Sequence, residues 1–112
     1  MNKYRNEKVY CDKANRFFDS KKEHERFHQL DLLLKANEIS DLTLQPKFEL
    51  QPKFKKNNKS YRNIEYIADF MYYDNKLKKM IIEDTKGYKT KEYLLKKKMF
   101  EYLYQDCELK EL

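Results

Sequence analysis

Two apolar runs joined by a short polar turn constrain the fold of this chain more than any other feature. The runs cover about residues 63–73 and 77–86, and Asp74 and Asn75 fall in the turn between them. Runs of this length that are rich in Ile, Tyr and Phe predict two strands of an antiparallel hairpin. Because neighbouring strands lie roughly 5 Å apart, side chains of the two runs are expected to meet.

Helical spacing of apolar residues predicts two helices, one before the hairpin and one after it. The first covers about residues 20–36 and ends near Asn37, and the second covers about residues 90–104. The residues expected on the core-facing sides are Phe27, Leu30 and Leu34 in the first helix and Leu95, Met99, Tyr102 and Leu103 in the second.

Further strand patterns surround these elements. Phe48, Leu50 and Phe54 alternate with charged residues, and the two prolines of this segment predict an edge strand. The sequence CELKEL at the end of the chain predicts a short last strand. The predicted fold class is therefore α/β, with the order helix, three strands, helix, strand around a mixed central sheet.

The length and composition of the chain bound the function classes. Its 112 residues fit one domain, with residues 1–18 as N-terminal strands or an arm and residues 19–112 as the core. Lys and Arg number 25 against 19 Asp and Glu, and the net charge of +6 favours a polyanionic partner such as nucleic acid. Gly87 is the only glycine, which excludes glycine-rich loops and the nucleotide cofactors that they bind.

The cellular setting follows from what the sequence does not contain. Cys11 and Cys107 are the only two cysteines, too few for a disulfide framework, so a reduced protein is expected. No run is long and apolar enough for a signal peptide or a membrane helix. We therefore expect a cytoplasmic protein, in the host cytoplasm if the chain is encoded by a phage, with no membrane partner.

Two acids are expected to meet on the hairpin. Asp69 lies in the middle of an apolar strand, where a lone Asp is disfavoured and costly unless it has partners. On the next strand the alternation of side chains places Asp84 and Lys86 on the apolar face. Two carboxylates close together repel each other unless a cation lies between them, and Mg²⁺ binds such carboxylates. The pattern therefore predicts a functional site.

The order Asp, strand turn, Asp-x-Lys resembles the PD-(D/E)xK nuclease superfamily, which has a restriction-endonuclease-like core. Ala68 stands where the proline of that motif's name would precede Asp69. Four blocks, FDSKKEHERF, ISDLTLQPKFEL, YIADFMY and IIEDTKGYKTKEYLLKKKMFEY, resemble small phage-encoded endonuclease I-like proteins, which are Holliday junction resolvase-like and largely of unknown function. The similarity covers about residues 17–104.

The resemblance implies a role for each residue of the site. Asp69 would be the central metal ligand and Asp84 the second ligand. Lys86 would orient the attacking water or stabilise the phosphate in the transition state. Thr85 would lend its backbone carbonyl to the metal, and Glu23 matches the helix acid of the superfamily, which reaches the metal directly or through water.

Each of these charged residues also has an ordinary structural explanation. Asp84 and Lys86 can form a strand-end ion pair. A capping box at the start of the first helix accounts for Glu23, and Glu25, on another face of that helix, is the weaker functional candidate. Glu83 points away from the predicted site and is expected to be a surface acid, unless a shift of one residue in the register exchanges it with Asp84.

Polar and basic residues outside the motif are candidates for DNA contacts. Such contacts with phosphates would give salt-dependent binding without sequence preference, although a run of lysines is usually a solvated surface. Gln45 fits the family block and can equally be a plain strand-start amide. The basic candidates form two groups along the chain, which are Lys55, Lys56, Lys59 and Arg62, and then Lys89, Lys96 and Lys97.

The two histidines of the chain are one helical turn apart. His24 and His28 therefore have a spacing that can bind zinc. Neither cysteine stands at a zinc-finger spacing from them, and no third ligand is evident. The sequence thus predicts a surface pair of histidines.

Taken together, the resemblance implies a Mg²⁺-dependent endodeoxyribonuclease in which Mn²⁺ can substitute. The implied substrate is branched or double-stranded DNA, such as a Holliday junction, in a phage or mobile-element context. Resolving a junction needs two cuts, so a homodimer is expected. The alternatives are a nuclease fold that binds DNA without cutting it, an RNA nuclease, and a structural protein whose charges are only surface.

Overall fold

The computed structural model describes residues 8–85 and 89–112. Lys86 lies outside the described residues, as do Gly87 and residues 1–7. The helices and strands of the described ranges are β1 (Val9–Cys11), β2 (Arg16–Phe18), α1 (Lys21–Lys35), β3 (Ile39–Leu44), β4 (Lys47–Gln51), β5 (Phe54–Lys56), β6 (Lys59–Tyr61), β7 (Ile64–Ile67), β8 (Phe70–Asp74), β9 (Lys79–Asp84), α2 (Lys91–Leu103) and β10 (Cys107–Glu111).

A mixed four-stranded sheet in the order β10-β9-β8-β3 forms the centre of the fold. Strand β9 runs parallel to β10 and antiparallel to β8, which is in turn antiparallel to β3. Ile81 packs in one core with α1, and Ile82 packs in a second core with α2. Because successive side chains of a strand point to opposite faces, the two helices cover opposite faces of the sheet. The predicted α/β class with a mixed sheet is confirmed at this level.

Helix α1 forms where the sequence predicts it. Ser20 is its N-cap, and its side-chain oxygen accepts a hydrogen bond from the Glu23 N–H at 3.1 Å, which satisfies one of the free amides at the helix start. Asn37 adopts a left-handed conformation with φ 59° just after the helix, a common way to end one. Neither helix of the described ranges has the length and apolar character needed to span a membrane.

The core-facing side predicted for α2 is confirmed only at Met99, which packs against the core, and is wrong at Leu95, Tyr102 and Leu103. Tyr93 and Phe100 are the buried residues of this helix, and Leu95 and Tyr102 are 60% and 75% exposed. The ring of Phe100 packs edge-on against Phe48, with centroids 4.9 Å apart. Apolar residues occur around most of this helix, so their spacing alone does not choose one side. The side of α2 that is buried is instead the one that meets the aromatic rings of β4 and β7, where Phe48 contacts Phe100 and Tyr66 contacts Tyr93.

The strand predicted over residues 63–73 is divided into β7 and β8 at Ala68 and Asp69. Strand β7 pairs with β4, and β8 pairs with β3 and β9. Backbone bonds continue across the break, from the Gln45 N–H to the Asp69 oxygen at 2.8 Å and from the Ala68 N–H to the Pro46 oxygen at 3.1 Å. The two pairs of strands therefore form one antiparallel ribbon that bends beside Asp69.

The ribbon ends in a hairpin of β5 and β6, which we call the finger (residues 54–61). Asn57 and Asn58 form its turn with φ of 53° and 61°, the left-handed pair that a two-residue hairpin loop requires. The radius of gyration is 16.0 Å, larger than the roughly 13 Å expected for a compact chain of this length. The extended ribbon is consistent with this larger value.

Candidate functional site

The bend between β7 and β8 brings Asp69 to the carboxyl end of β9. There the carboxylate oxygen Oδ2 of Asp69 accepts two hydrogen bonds from Thr85, one from the backbone N–H at 2.6 Å and one from the hydroxyl at 2.7 Å. The backbone N–H of Asp69 donates to the Glu83 carbonyl at 3.0 Å. Asp69 and Thr85, two of the metal ligands that the resemblance implies, are therefore in direct contact, and the orientation of the Asp69 carboxylate is fixed.

Glu23 enters the same site from the first turn of α1. It is 2% exposed, and its Oε2 has no hydrogen-bond partner among the described residues. Burial raises the pKa of Glu23 to about 7, and the negative charges of Asp69 and Asp19 act in the same direction. The sequence prediction that Glu23 faces inward is confirmed. A backbone hydrogen bond from Asp19 and the positive charge of Arg16 only partly oppose this rise of the pKa, and a divalent cation bound beside Glu23 would lower the pKa further.

Asp84 is buried at the end of β9, next to Thr85 in the chain. The Tyr66 hydroxyl donates a hydrogen bond to its Oδ2 at 2.5 Å. Burial, followed by this bond and the charge of Asp84, raises the pKa of Tyr66. Tyr66 is therefore a neutral donor that orients the carboxylate of Asp84.

The prediction that Glu83 is a surface acid is wrong, because its side chain is 0% exposed. Arg26 holds the carboxylate with two bonds, from Nε to Oε1 at 2.7 Å and from Nη2 to Oε2 at 2.6 Å. The Tyr72 hydroxyl donates a third bond to Oε2. Both faces of the sheet are covered by a helix, so an acid that faces away from Asp84 still lies in the interior. Its charge is neutralised inside the protein.

The sequence interpretation did not identify Glu111, which pairs with Asp84 in the parallel ladder of β10 and β9. Its carboxylate accepts hydrogen bonds from the Tyr93 hydroxyl at 2.6 Å, Lys97 at 3.0 Å and Lys89 at 3.2 Å. These bonds, with that of Tyr93 the largest cause, lower the pKa of Glu111 to about 2. The predicted last strand was the available signal, since pairing of that strand with β9 can bring one of its acids beside Asp84.

The second predicted basic group is thus paired with acids. Lys89 and Lys97 contact Glu111, and Lys96 forms an ion pair with Glu92 at 3.4 Å. These pairs are partly exposed and therefore weak, so a phosphate can compete for the same amines. The group stays a candidate for DNA contacts.

The first predicted basic group extends along the exposed finger. The rings of Phe54 and Tyr61 stack there with centroids 4.6 Å apart and planes 7° apart. The Lys59 amine lies 5.2 Å from the centre of the Tyr61 ring. Between residues 52 and 62 the sequence contains no acid. The exposed cations of this group are Lys55, Lys56, Lys59 and Arg62.

The base of the finger adjoins a groove of 590 Å³ between β7 and α2. Arg62 lies on one wall of the groove and Lys96 on the other. Gln45 lies at the opposite end of the ribbon, beside Asp69, to which its backbone is bonded. The ribbon therefore joins the acidic site to the basic finger.

The chain belongs to a protein family described as a protein of unknown function (DUF1064), whose model matches residues 1–112. No curated protein and no solved structure matches the chain. The family description names no activity.

Proposed function

We propose that the chain is a metal-dependent endodeoxyribonuclease with a restriction-endonuclease-like core. The observation that carries the proposal is the buried Oε2 of Glu23, which lacks a hydrogen-bond partner among the described residues and lies close enough to Asp69 for the two charges to repel. A buried charge without partners is costly. A protein retains such an arrangement most readily where a cation or substrate completes it.

The residues present fit a hard divalent cation. Asp69, Asp84 and the backbone carbonyl of Thr85 would hold Mg²⁺, and Glu23 would contact it through water. All of these donors are oxygen atoms, which Mg²⁺ and Mn²⁺ prefer over nitrogen and sulfur. When bound, the metal would supply an acidified water and stabilise charge on the phosphodiester.

The chain's own residues would position the reacting groups. Thr85 fixes the orientation of the Asp69 carboxylate through two hydrogen bonds, and Tyr66 does the same for Asp84. Burial holds the pKa of metal-free Glu23 at about 7, and a bound cation would lower it, so that the ionised carboxylate would accept a hydrogen bond from the metal-bound water. Lys86 would orient the attacking water or stabilise the phosphate, as the resemblance implies. The expected products carry a 3′-hydroxyl and a 5′-phosphate.

The finger supports DNA as the substrate. Its exposed lysines and Arg62 can neutralise phosphates, and Phe54 and Tyr61 offer aromatic surface to unpaired bases. Unpaired or distorted bases occur at branch points, which agrees with the branched substrate that the resemblance implies. Cutting both strands of a junction would require a homodimer.

Cleavage of a four-way junction tests the proposal, beside linear duplex and single strand of the same sequence. The wild type should cut the junction in Mg²⁺ or Mn²⁺ and should be inactive in EDTA. Asp84→Ala and Lys86→Ala should lose cutting, and the exposed-site control Asp106→Asn should retain it.

DNA binding without cutting under all of these conditions would overturn the proposal. The chain would then be a DNA-binding module on a nuclease fold, an alternative that is supported by the finger alone. Cutting of the matched RNA in preference to DNA would correct the substrate class.

A further inference from the structure

The hairpin of β1 and β2 packs against α1 and brings a third potential metal ligand to the histidine pair. Cys11, His24 and His28 each present a ligand atom, and the three atoms lie within 4.8 Å of one another. The sequence spacing gave no indication of a third ligand, because the cysteine comes from β1 and not from the helix. We propose that these three residues form a zinc-binding site that joins β1 to α1.

The spacing of the ligand atoms is close to that of a coordinated metal. The Nε2 atoms of His24 and His28 are 3.1 Å apart. In a tetrahedral zinc site, with Zn–N near 2.0–2.1 Å and Zn–S near 2.3 Å, two nitrogens are about 3.3 Å apart and a nitrogen and a sulfur about 3.5 Å. The histidine pair already has this geometry. The separations within the group reach up to 4.8 Å, so metal binding would have to draw these side chains closer together.

A hydrogen bond between two neutral imidazoles is the competing explanation for the histidine pair. That bond explains the 3.1 Å distance but does not explain why a thiol lies beside it. Cys11 is 3% exposed, and aromatic rings flank the imidazoles, with Phe18 5.4 Å from His24 and Phe27 5.6 Å from His28. The cluster is therefore partly shielded from solvent, as protein zinc sites usually are.

Two cations lie near the cluster, Arg16, which is the β2 partner of Cys11 and whose charge acts on the neighbouring Glu23, and Lys13. Lys13 is a cation that interacts with Cys11. Its amine is paired with the carboxylate of Asp31 at 2.5 Å, and Lys35 shares the same carboxylate at 3.3 Å. The positive charge of Lys13 is thus partly neutralised.

Ligand chemistry separates this cluster from the acidic site. Two imidazoles and a thiolate suit Zn²⁺ and other borderline or soft metals, and Mg²⁺ prefers oxygen donors. The described residues supply three ligands, so water would complete a tetrahedral shell. His24 immediately follows Glu23, so a metal here would hold the start of α1 against the β1–β2 hairpin.

Binding of Co²⁺ to metal-free, reduced protein tests the site directly. The expected result is one tetrahedral Co²⁺ per chain, recognised by its visible bands and a thiolate-to-cobalt charge-transfer band and displaced by Zn²⁺ but not by excess Mg²⁺, apart from any Co²⁺ bound at the acidic site. Cys11→Ser should lose the charge-transfer band. His28→Ala, at an exposed position, should weaken binding by about tenfold or more.

The other cysteine is the matched control, because Cys107→Ser should keep the full spectrum. Absence of the charge-transfer band in the wild type, or its survival in Cys11→Ser, would overturn the proposal. The readout is spectroscopic and does not depend on nuclease activity, so its failure would leave the proposed function untouched. If His28→Ala folds but binds Co²⁺ as tightly as the wild type, the three-ligand site is also excluded.

Discussion

Glu23 and Glu83 are both buried glutamates beside helix α1: Glu23 belongs to the helix, and Glu83 contacts it through Arg26. Their hydrogen bonding and electrostatic environments differ. Glu83 receives two bonds from Arg26 and a third from Tyr72. Glu23 has an oxygen with no partner among the described residues, and it lies near the like charge of Asp69. The first arrangement stabilises the folded chain and needs nothing from outside. The second arrangement lowers the stability of the metal-free chain near neutral pH, and under the proposed function a bound cation would compensate for this cost.

Removing the partner of Glu83 should have the largest effect on stability. Arg26→Ala leaves a buried carboxylate without its cation, and we expect a decrease of about 3–5 kcal/mol in the free energy of unfolding. Urea unfolding followed by circular dichroism measures the change. Lys79→Ala is the control, because Lys79 and Glu108 form an exposed pair, and it should cost no more than about 1 kcal/mol. Equal decreases in the two variants would contradict the structural role of Glu83.

Glu23→Gln should change stability in the opposite direction. An acid whose pKa is raised by folding loses stability as the pH rises from its unfolded value near 4.5 to its folded value of about 7. Above pH 7 the metal-free variant should therefore be more stable than the wild type, by about 1–3 kcal/mol. The difference should vanish below about pH 4. The same variant should lose Mg²⁺-dependent cutting.

Thermal unfolding at several pH values, in EDTA, measures the effect of Glu23→Gln. Glu25→Gln is the control, since Glu25 is exposed on another side of the same helix, and it should leave both stability and cutting unchanged. A destabilised Glu23→Gln protein at about pH 8 would show that Glu23 is a structural acid like Glu83.

The effect of Glu111→Gln on stability should lie between the effects of Arg26→Ala and Glu23→Gln. Its pKa of about 2 is below the ordinary value of 4.5, so the stability that it contributes is present above pH 4.5 and is lost as the pH falls towards 2. Glu111→Gln should cost on the order of 1–2 kcal/mol at pH 7, because the lysines that pair with it are partly exposed. Unfolding free energies of the two proteins should differ at about pH 7 and converge towards about pH 2. A constant difference across this range would exclude the ion pairs as its cause.

Removing cations from the finger should have the smallest effect on stability, because the finger carries no buried acid. A combined Lys55→Ala and Lys56→Ala variant should change the free energy of unfolding by less than about 0.5 kcal/mol. It should weaken DNA binding and reduce the dependence of log affinity on log salt by about one unit for each phosphate that the variant no longer neutralises. Lys76→Ala and Lys78→Ala, in the β8–β9 turn, form the matched control. Unchanged salt dependence would remove the finger from the DNA-binding surface.

The two helices and the α/β class were accessible from the sequence, because capping and apolar spacing are local, but the three strands predicted between the helices are seven strands, β3 to β9, in the described residues. Ser20 marks the start of α1 by a side-chain bond that its sequence context predicts. Which side of a strand or helix faces the core was harder to predict from the sequence. Glu83 is buried because helices cover both faces of β9, and no local pattern in EDTK carries that information. The sequence of α2 is apolar on several sides, so Tyr93 and Phe100 were missed.

Contacts between distant segments were the least accessible from the sequence. The bend at Asp69 divides one apolar run into two strands with different partners, and this depends on the whole ribbon. Glu111 reaches Asp84 through a parallel ladder, and Cys11 reaches the histidine pair through a separate hairpin. Both approaches are set by tertiary packing, which motif spacing does not encode.

The proposed function requires that Asp69 and its neighbouring acids at the bend bind a divalent cation. Calorimetric titration of the metal-free protein with Mn²⁺ tests this claim directly, with Asp69→Asn and the exposed-site control Asp106→Asn beside the wild type. We predict saturable binding to the wild type and to Asp106→Asn and its loss in Asp69→Asn. Absence of saturable binding, or equal binding by Asp69→Asn, would contradict the account.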